Sequence, residues 1–187
     1  MISPGLLIRT TILGLLTVIL QITVCAQLSI LGGRLDLIPL VVVSVALLGG
    51  SITGSITGFT IGLILDLALL QTLGVSSLVY VGIGYVAGRI RELYDPQGKL
   101  LPLVAGGLAT AGAIAGFIVM QFLLGVTVSL NGMVMREVMM TIVLNTLIAF
   151  PVFLFVRWVL RPSLPSEPRP GRGSEYAEPV LTQLTNR

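Results

Sequence analysis

Between residues 10 and 31 the chain carries no charged side chain, and five further apolar stretches follow. This succession of runs constrains the fold more than any other feature. A helix rises 1.5 Å per residue, so about 20 apolar residues are needed to cross a hydrocarbon core about 30 Å thick. The runs cover residues 10–31, 37–49, 51–70, 73–88, 101–126 and 138–160. The second and fourth are short for independent spans. Each is a tilted span, a span bordered by polar interface residues, or a partly re-entrant segment. Six spans is the reading adopted, and five is its competitor.

Composition supports the bilayer as solvent. The chain is 55% hydrophobic and 10% charged, where a soluble domain carries about 25% charged residues. Such a chain cannot cover its own surface in water. The expectation is an all-α integral membrane protein, with one bundle of about six transmembrane helices in residues 1–161. Residues 162–187 turn to Pro, Gly, Ser, Glu and Arg, which cannot bury a core, and are expected to form a disordered cytoplasmic tail. The first run is longer than a signal peptide and lacks a small-residue cleavage site, so it reads as a retained span. Cys25 follows Ile22-Thr23-Val24, which does not suit lipoprotein processing.

The basic residues orient the bundle. With six spans, Arg9, Arg89, Arg91, Lys99, Arg157, Arg161, Arg169, Arg172 and Arg187 share one side. Arg34 and Arg136 lie on the other, beside Asp36 and Glu137. Positive residues accumulate on the cytoplasmic side, so both termini are expected in the cytoplasm of a multi-pass inner-membrane protein. The net charge of +3 is then a topology signal, not a sign of nucleic-acid binding. The loop from Arg89 to Lys99 reads as a turn at Tyr94-Asp95-Pro96-Gln97-Gly98. Arg89, Arg91 and Lys99 are candidate cytoplasmic anchors to anionic headgroups, or a partner contact.

The third run holds a ladder of Gly50, Gly54, Gly58 and Gly62, ending at Asp66, every step being four residues. On a helix this spacing makes a slowly winding ridge. Glycine there lets another helix backbone approach closely, and in lipid such packing drives association. The ridge is a candidate helix-packing or partner contact, and its neighbour lies either in this chain or in another protein. Further pairs four apart are Gly84 with Gly88 and Gly112 with Gly116. In the last run Asn145 can hydrogen-bond across helices, and Pro151 should kink its helix.

A carboxylate at membrane depth costs at least about 2.5–3.5 kcal/mol on insertion scales, so Asp66 needs a reason. A proton or ion relay would call for other buried ionisable groups, which the runs lack. An interface-level cap or hydrogen-bond partner for a neighbouring helix fits better. The chain has no histidine, no phosphate-binding glycine loop, no metal-ligand cluster and no nucleophile with a base. The expectation is no enzyme, no cofactor and no metal.

Several motifs in order resemble the MreD family of bacterial rod shape-determining proteins. Asp36-Leu37 opens the second run, and Gly62-Leu63-Ile64-Leu65-Asp66-Leu67 closes the third. Leu73-Gly74 follows, then Gly84-Tyr85-Val86-Ala87-Gly88-Arg89, and the last run has Asn145, Pro151 and Arg157. The match covers about residues 5–160. The resemblance implies a scaffold role in cell-wall elongation and peptidoglycan synthesis. It implies association with MreC, a single-span protein, in a complex with MreB filaments, a transglycosylase and a penicillin-binding transpeptidase. It also implies a bundle similar to the substrate-binding subunits of energy-coupling-factor vitamin transporters. A small-molecule (vitamin) binding subunit of such a transporter is the alternative function. Against it, the first run has no Ala-x-x-x-Ala pair, and the one tryptophan, Trp158, lies near the cytoplasmic end.

Overall fold

A computed structural model describes residues 4–24, 29–30, 32–94, 101–126 and 132–163. Cys25, Lys99, most of the 94–98 turn and the segment after residue 163 lie outside the described residues. The described residues form five helices and one small hairpin: α1 (Pro4–Thr23), β1 (Ser29–Ile30), β2 (Gly33–Arg34), α2 (Leu37–Ala68), α3 (Val75–Tyr94), α4 (Leu101–Leu123) and α5 (Gly132–Leu160). A short 3-10 turn, Arg161–Ser163, follows. α2, α4 and α5 are each long and apolar enough to cross a membrane, and α1 contains a shorter apolar helix, Ile8–Thr23.

α2 is not one straight rod. Gly50 has φ 86° and ψ −179°, a conformation open to glycine and costly for residues with a Cβ. The chain reverses there: a Cβ built on Gly54 would lie 2.5 Å from the Cβ of Ala46, although eight residues of continuous helix span about 12 Å. The first arm, residues 37–49, is apolar around its circumference, and its positions 38–47 are all buried. A helix apolar on every side belongs in the centre of a bundle. Here α1, α4, α5 and the second arm surround it, with Val42, Val45 and Ala46 fully excluded from the surface.

The second arm, residues 51–68, lies antiparallel to α3. Gly62 meets the backbone of Ser77, Gly58 the carbonyl of Tyr80, and Gly54 that of Gly84. From the other side Gly84 meets Gly54, and Gly88 meets Ser51. A methyl at any of these positions would collide with backbone, which cannot move aside as a side chain can. The contact is therefore built on the absence of side chains.

α4 and α5 are also antiparallel, Gly106 facing Ala149 and Gly107 facing Thr146. Their outer faces carry large exposed apolar residues such as Leu108, Phe122, Val143 and Leu147. In lipid such residues need no protein cover. α5 continues as helix through Pro151. At one end of the bundle α1 and α4 begin, α2 breaks, and α3 and α5 finish. Arg9, Arg89, Arg91 and Arg157 gather there, while Arg34 and Arg136 lie at the opposite end. Arg9 Nη1 reaches the Val159 carbonyl at 3.5 Å.

Candidate functional site: the packing ridge and its helix-end caps

Helix ends leave backbone groups unpaired, and inside a bilayer no water replaces the missing partners. Several charged and amide side chains are placed to meet that need, whereas hydroxyls such as Thr17, Ser44 and Thr110 return to the carbonyl one turn back in their own helix.

The central arm of α2 begins with its first donors accounted for. Asp36 is its N-cap, and its Oδ1 accepts from Ile38 N–H at 3.2 Å. Gln21 of α1 accepts from Leu37 N–H at 2.9 Å, and its Nε2 donates to the Leu35 carbonyl at 3.1 Å. Asn145 of α5 accepts from Asp36 N–H at 3.1 Å. Pro39 has no donor to satisfy. Protein packed around the half-buried Asp36 carboxyl, in the connection ahead of α2, desolvates it and pushes its pKa up to about 6, while the Ile38 N–H pulls the other way. Asn145 is fully buried; its Oδ1 is used in this cap, and its Nδ2, like Thr57 Oγ1, has no partner among the described residues.

The break at Gly50 is capped from α3 by two consecutive residues. Arg91 Nη1 donates to the Leu48 carbonyl at 2.6 Å, at the end of the first arm. Glu92 Oε1 accepts from Ser51 N–H and from Ser51 Oγ, both at 2.7 Å, at the start of the second arm. A cation thus sits at a helix C-terminus and an anion at a helix N-terminus, each the sign that the peptide dipoles favour. Glu92 lies beyond the apolar run 73–88. The two hydrogen bonds from Ser51 hold its carboxyl below the usual range, and Arg89, 3.3 Å away, adds to this.

Asp66 is completely buried near the opposite end. Its Oδ2 accepts from Gly74 N–H at 2.8 Å, and Oδ1 from Ser76 N–H at a longer 3.4 Å. It therefore caps the start of α3 from the end of α2, across the connection at residues 69–74. The positive φ of Gly74 (94°) helps the chain turn there.

These positions account for the expected residues as follows. Gly54, Gly58, Gly62 and Asp66 all face α3, whereas Gly50 forms the break rather than part of the ridge. Asn145 joins α5 to the start of α2. Arg89 and Arg91 are engaged with Glu92 and the Leu48 carbonyl, so Arg91 is not simply a free anchor for lipid. Of the two further pairs, Gly84 and Gly88 are packed against α2. Gly116 lies against Val79, and Gly112 has open space beside it.

Gln21, Glu92 and the small hairpin at residues 29–34 were not anticipated. Gly32-Gly33 is a turn signal in the sequence, and Gly33 packs against Met140 of α5. Arg34 N–H donates to Thr141 Oγ1 at 3.0 Å, and its side chain pairs with Glu137 at 3.0 Å. Among the described residues no group of three or more potential metal ligands is found.

A bundle of close-packed helices, three of them long and apolar enough to cross a membrane, defines the class: an integral membrane protein. The sequence matches the family model for the rod shape-determining protein MreD over residues 4–159. The chain belongs to that family, and its role is in determining cell shape. No curated protein and no solved structure matches it.

Proposed function

We propose that the chain is a non-enzymatic scaffold subunit of the cell-wall elongation complex. Its helices would be held in fixed relation so that their outer faces bind an MreC-like single-span protein and, through it, MreB filaments and the transglycosylase–transpeptidase pair. Six spans fit this reading if the two arms of α2 count separately. The gathering of basic residues at the Gly50 end supports a topology with that end, and both termini, in the cytoplasm. Residues 1–161 form the bundle, and residues 162–187 a cytoplasmic tail.

The observation that carries the proposal is the use of the buried polar groups. Asp66, Asn145 and Gln21 are each engaged with backbone at a helix end. Among the described residues these three groups are used at helix ends and not on the lining of either apolar groove. The two grooves described are apolar and lie between helices: one between α3 and α4, the other between α1 and α5. This arrangement favours a scaffold over a subunit that captures a small polar molecule. The test is depletion in the native host, with cell width followed over several generations. Widening and rounding of rods that vitamin supplementation does not relieve supports the scaffold. Unchanged width with a new vitamin requirement would establish the transporter subunit instead.

A further inference from the structure

The groove between α1 and α5 has a volume of about 310 Å³, within the usual range of ligand pockets, about 300–1,000 Å³. Leu13 and Leu20 of α1 lie on one wall, Ile148 and Phe155 of α5 on the other, and Val41 of the central arm at the floor. Leu13 and Val41 are buried, whereas Leu16, Leu20 and Phe155 are exposed, so the groove opens sideways to the bilayer. Thr17 also lines it, but its hydroxyl donates to the Leu13 carbonyl at 2.7 Å. The lining therefore offers an occupant an apolar face.

Toward the Gly50 end the chemistry changes. By helical periodicity Arg9 extends the stripe of Leu13, Leu16 and Leu20, and Val159 extends that of Ile148, Val152 and Phe155. Arg9 Nη1 reaches the Val159 carbonyl at 3.5 Å, so the guanidinium lies across the mouth of the groove. A guanidinium has about five N–H donors, and this one long contact leaves most of them open. Trp158 stands beside the mouth, its ring 6.4 Å from that of Phe155, and tryptophan favours the headgroup level of a bilayer. Arg157 and Arg161 are exposed at the same end. Arg157 lies on the side of α5 turned away from the groove, so it adds positive potential there without contact. Among the described residues none of these three arginines forms an ion pair with a carboxylate. The groove between α3 and α4 ends differently: Arg89 is paired with Glu92, and Arg91 holds the Leu48 carbonyl at 2.6 Å.

Length narrows the occupant. The rise from Arg9 to Leu20, like that from Val159 back to Ile148, is about 16 Å. That is close to half of a hydrocarbon core about 30 Å thick, the depth of one leaflet. A partner's spanning helix would need a groove of the full thickness. We propose that this groove holds one acyl chain of an anionic phospholipid, whose phosphate is bound by Arg9 at the mouth. A guanidinium can meet phosphate with two parallel N–H donors, and basic pockets between transmembrane helices take anionic headgroups. A zwitterionic lipid would bring its own cation to an end where three arginines have no acid partner, so a net negative headgroup is favoured. The proposal rests on the membrane reading of the bundle and not on which complex the protein serves.

Native mass spectrometry of the full chain in mild detergent tests this, with added phosphatidylglycerol or phosphatidylcholine of identical chains. The parent should retain one phosphatidylglycerol under conditions that strip phosphatidylcholine. Arg9→Gln should weaken phosphatidylglycerol retention about tenfold, the loss of one charge-assisted hydrogen bond, and Arg9→Lys should keep part of the preference. Leu16→Trp, which fills the groove from its exposed wall, should displace the lipid, whereas Val86→Trp in the α3–α4 groove should not. Should Arg9→Gln fail to fold, the parent's preference and its loss in Leu16→Trp decide the matter. Equal retention of the two lipids by the parent, phosphatidylglycerol binding untouched by Arg9→Gln or by Leu16→Trp, or an equal loss in Val86→Trp would each overturn the proposal. So would a parent that retains neither lipid and migrates as a dimer split by Leu16→Trp, which would give the groove to a second copy of the chain.

Discussion

The second arm of α2 with α3, and α4 with α5, are both antiparallel helix pairs, yet they are held by different means. In the first pair, glycines bring backbone onto backbone along the whole contact, and charged or polar side chains close both ends. In the second, glycine brings the helices close at Gly106–Ala149 and Gly107–Thr146, and the outer faces carry large apolar residues. In lipid, apolar side chains gain little by choosing protein over acyl chains. Close backbone approach and polar satisfaction decide which helices stay together. The first pair has both, which makes it the rigid part of the molecule. The second has less of each, although both pairs expose large apolar side chains outward, such as Ile52 and Leu78 in the first and Phe122 and Leu147 in the second.

If this contrast is right, Gly58→Leu should have the largest effect. Its side chain would be driven into the Tyr80 carbonyl, and overpacking of a tight contact costs about 1–3 kcal/mol or more. Little folded protein should survive purification in mild detergent, and rod width should not be restored by the variant. Asp66→Leu removes both acceptors for the start of α3. A loss of about 1–3 kcal/mol is expected for the buried donors left unpaired, read as a lower midpoint in detergent-denaturant unfolding, with Asp66→Asn losing less. A midpoint for Asp66→Leu equal to that of the parent would show that the cap is dispensable.

The weaker contacts sharpen the comparison from the other side. The Arg34–Glu137 pair is exposed, with side-chain exposures of 75% and 42%, and such pairs contribute about 0–1 kcal/mol. Glu137→Gln should therefore shift the unfolding midpoint only slightly, and less at high salt. Gly112→Ala should do the opposite of Gly58→Leu. Open space beside Gly112 leaves only the helix preference of alanine, a gain of up to about 1 kcal/mol. A loss of stability in Gly112→Ala would mean that the groove side of α4 is already packed against something.

Much of the architecture is legible in the residues. Apart from the end of the first run, where α1 stops at Thr23 and Ser29–Ile30 pairs as a strand, the apolar runs lie where the helices are, and the boundary between the second and third runs falls at Gly50, where α2 breaks. The four-residue spacing of Gly54, Gly58 and Gly62 marks a face meant for close approach. The lack of other ionisable residues in the runs favours a cap over a relay for Asp66. These features follow from local rules: length against bilayer thickness, periodicity against helix pitch, and the cost of charge in hydrocarbon.

The partners were not legible. That the ridge meets α3, that Gln21 and Asn145 start the central arm, and that Arg91 and Glu92 close the break all join residues far apart in the chain. Ser51 and Glu92, for instance, are separated by 41 positions. A glycine face or an unpaired carbonyl states a need without naming what fills it. In the sequence Arg91 looks like any basic residue at the end of an apolar run. The sequence by itself determined a membrane-embedded helical chain with its close-packing face and its charge asymmetry. Only the tertiary structure decided which helix fills that face and which side chain closes each helix end, because every backbone polar group in the bilayer must find a partner and the fold alone sets which one is in reach.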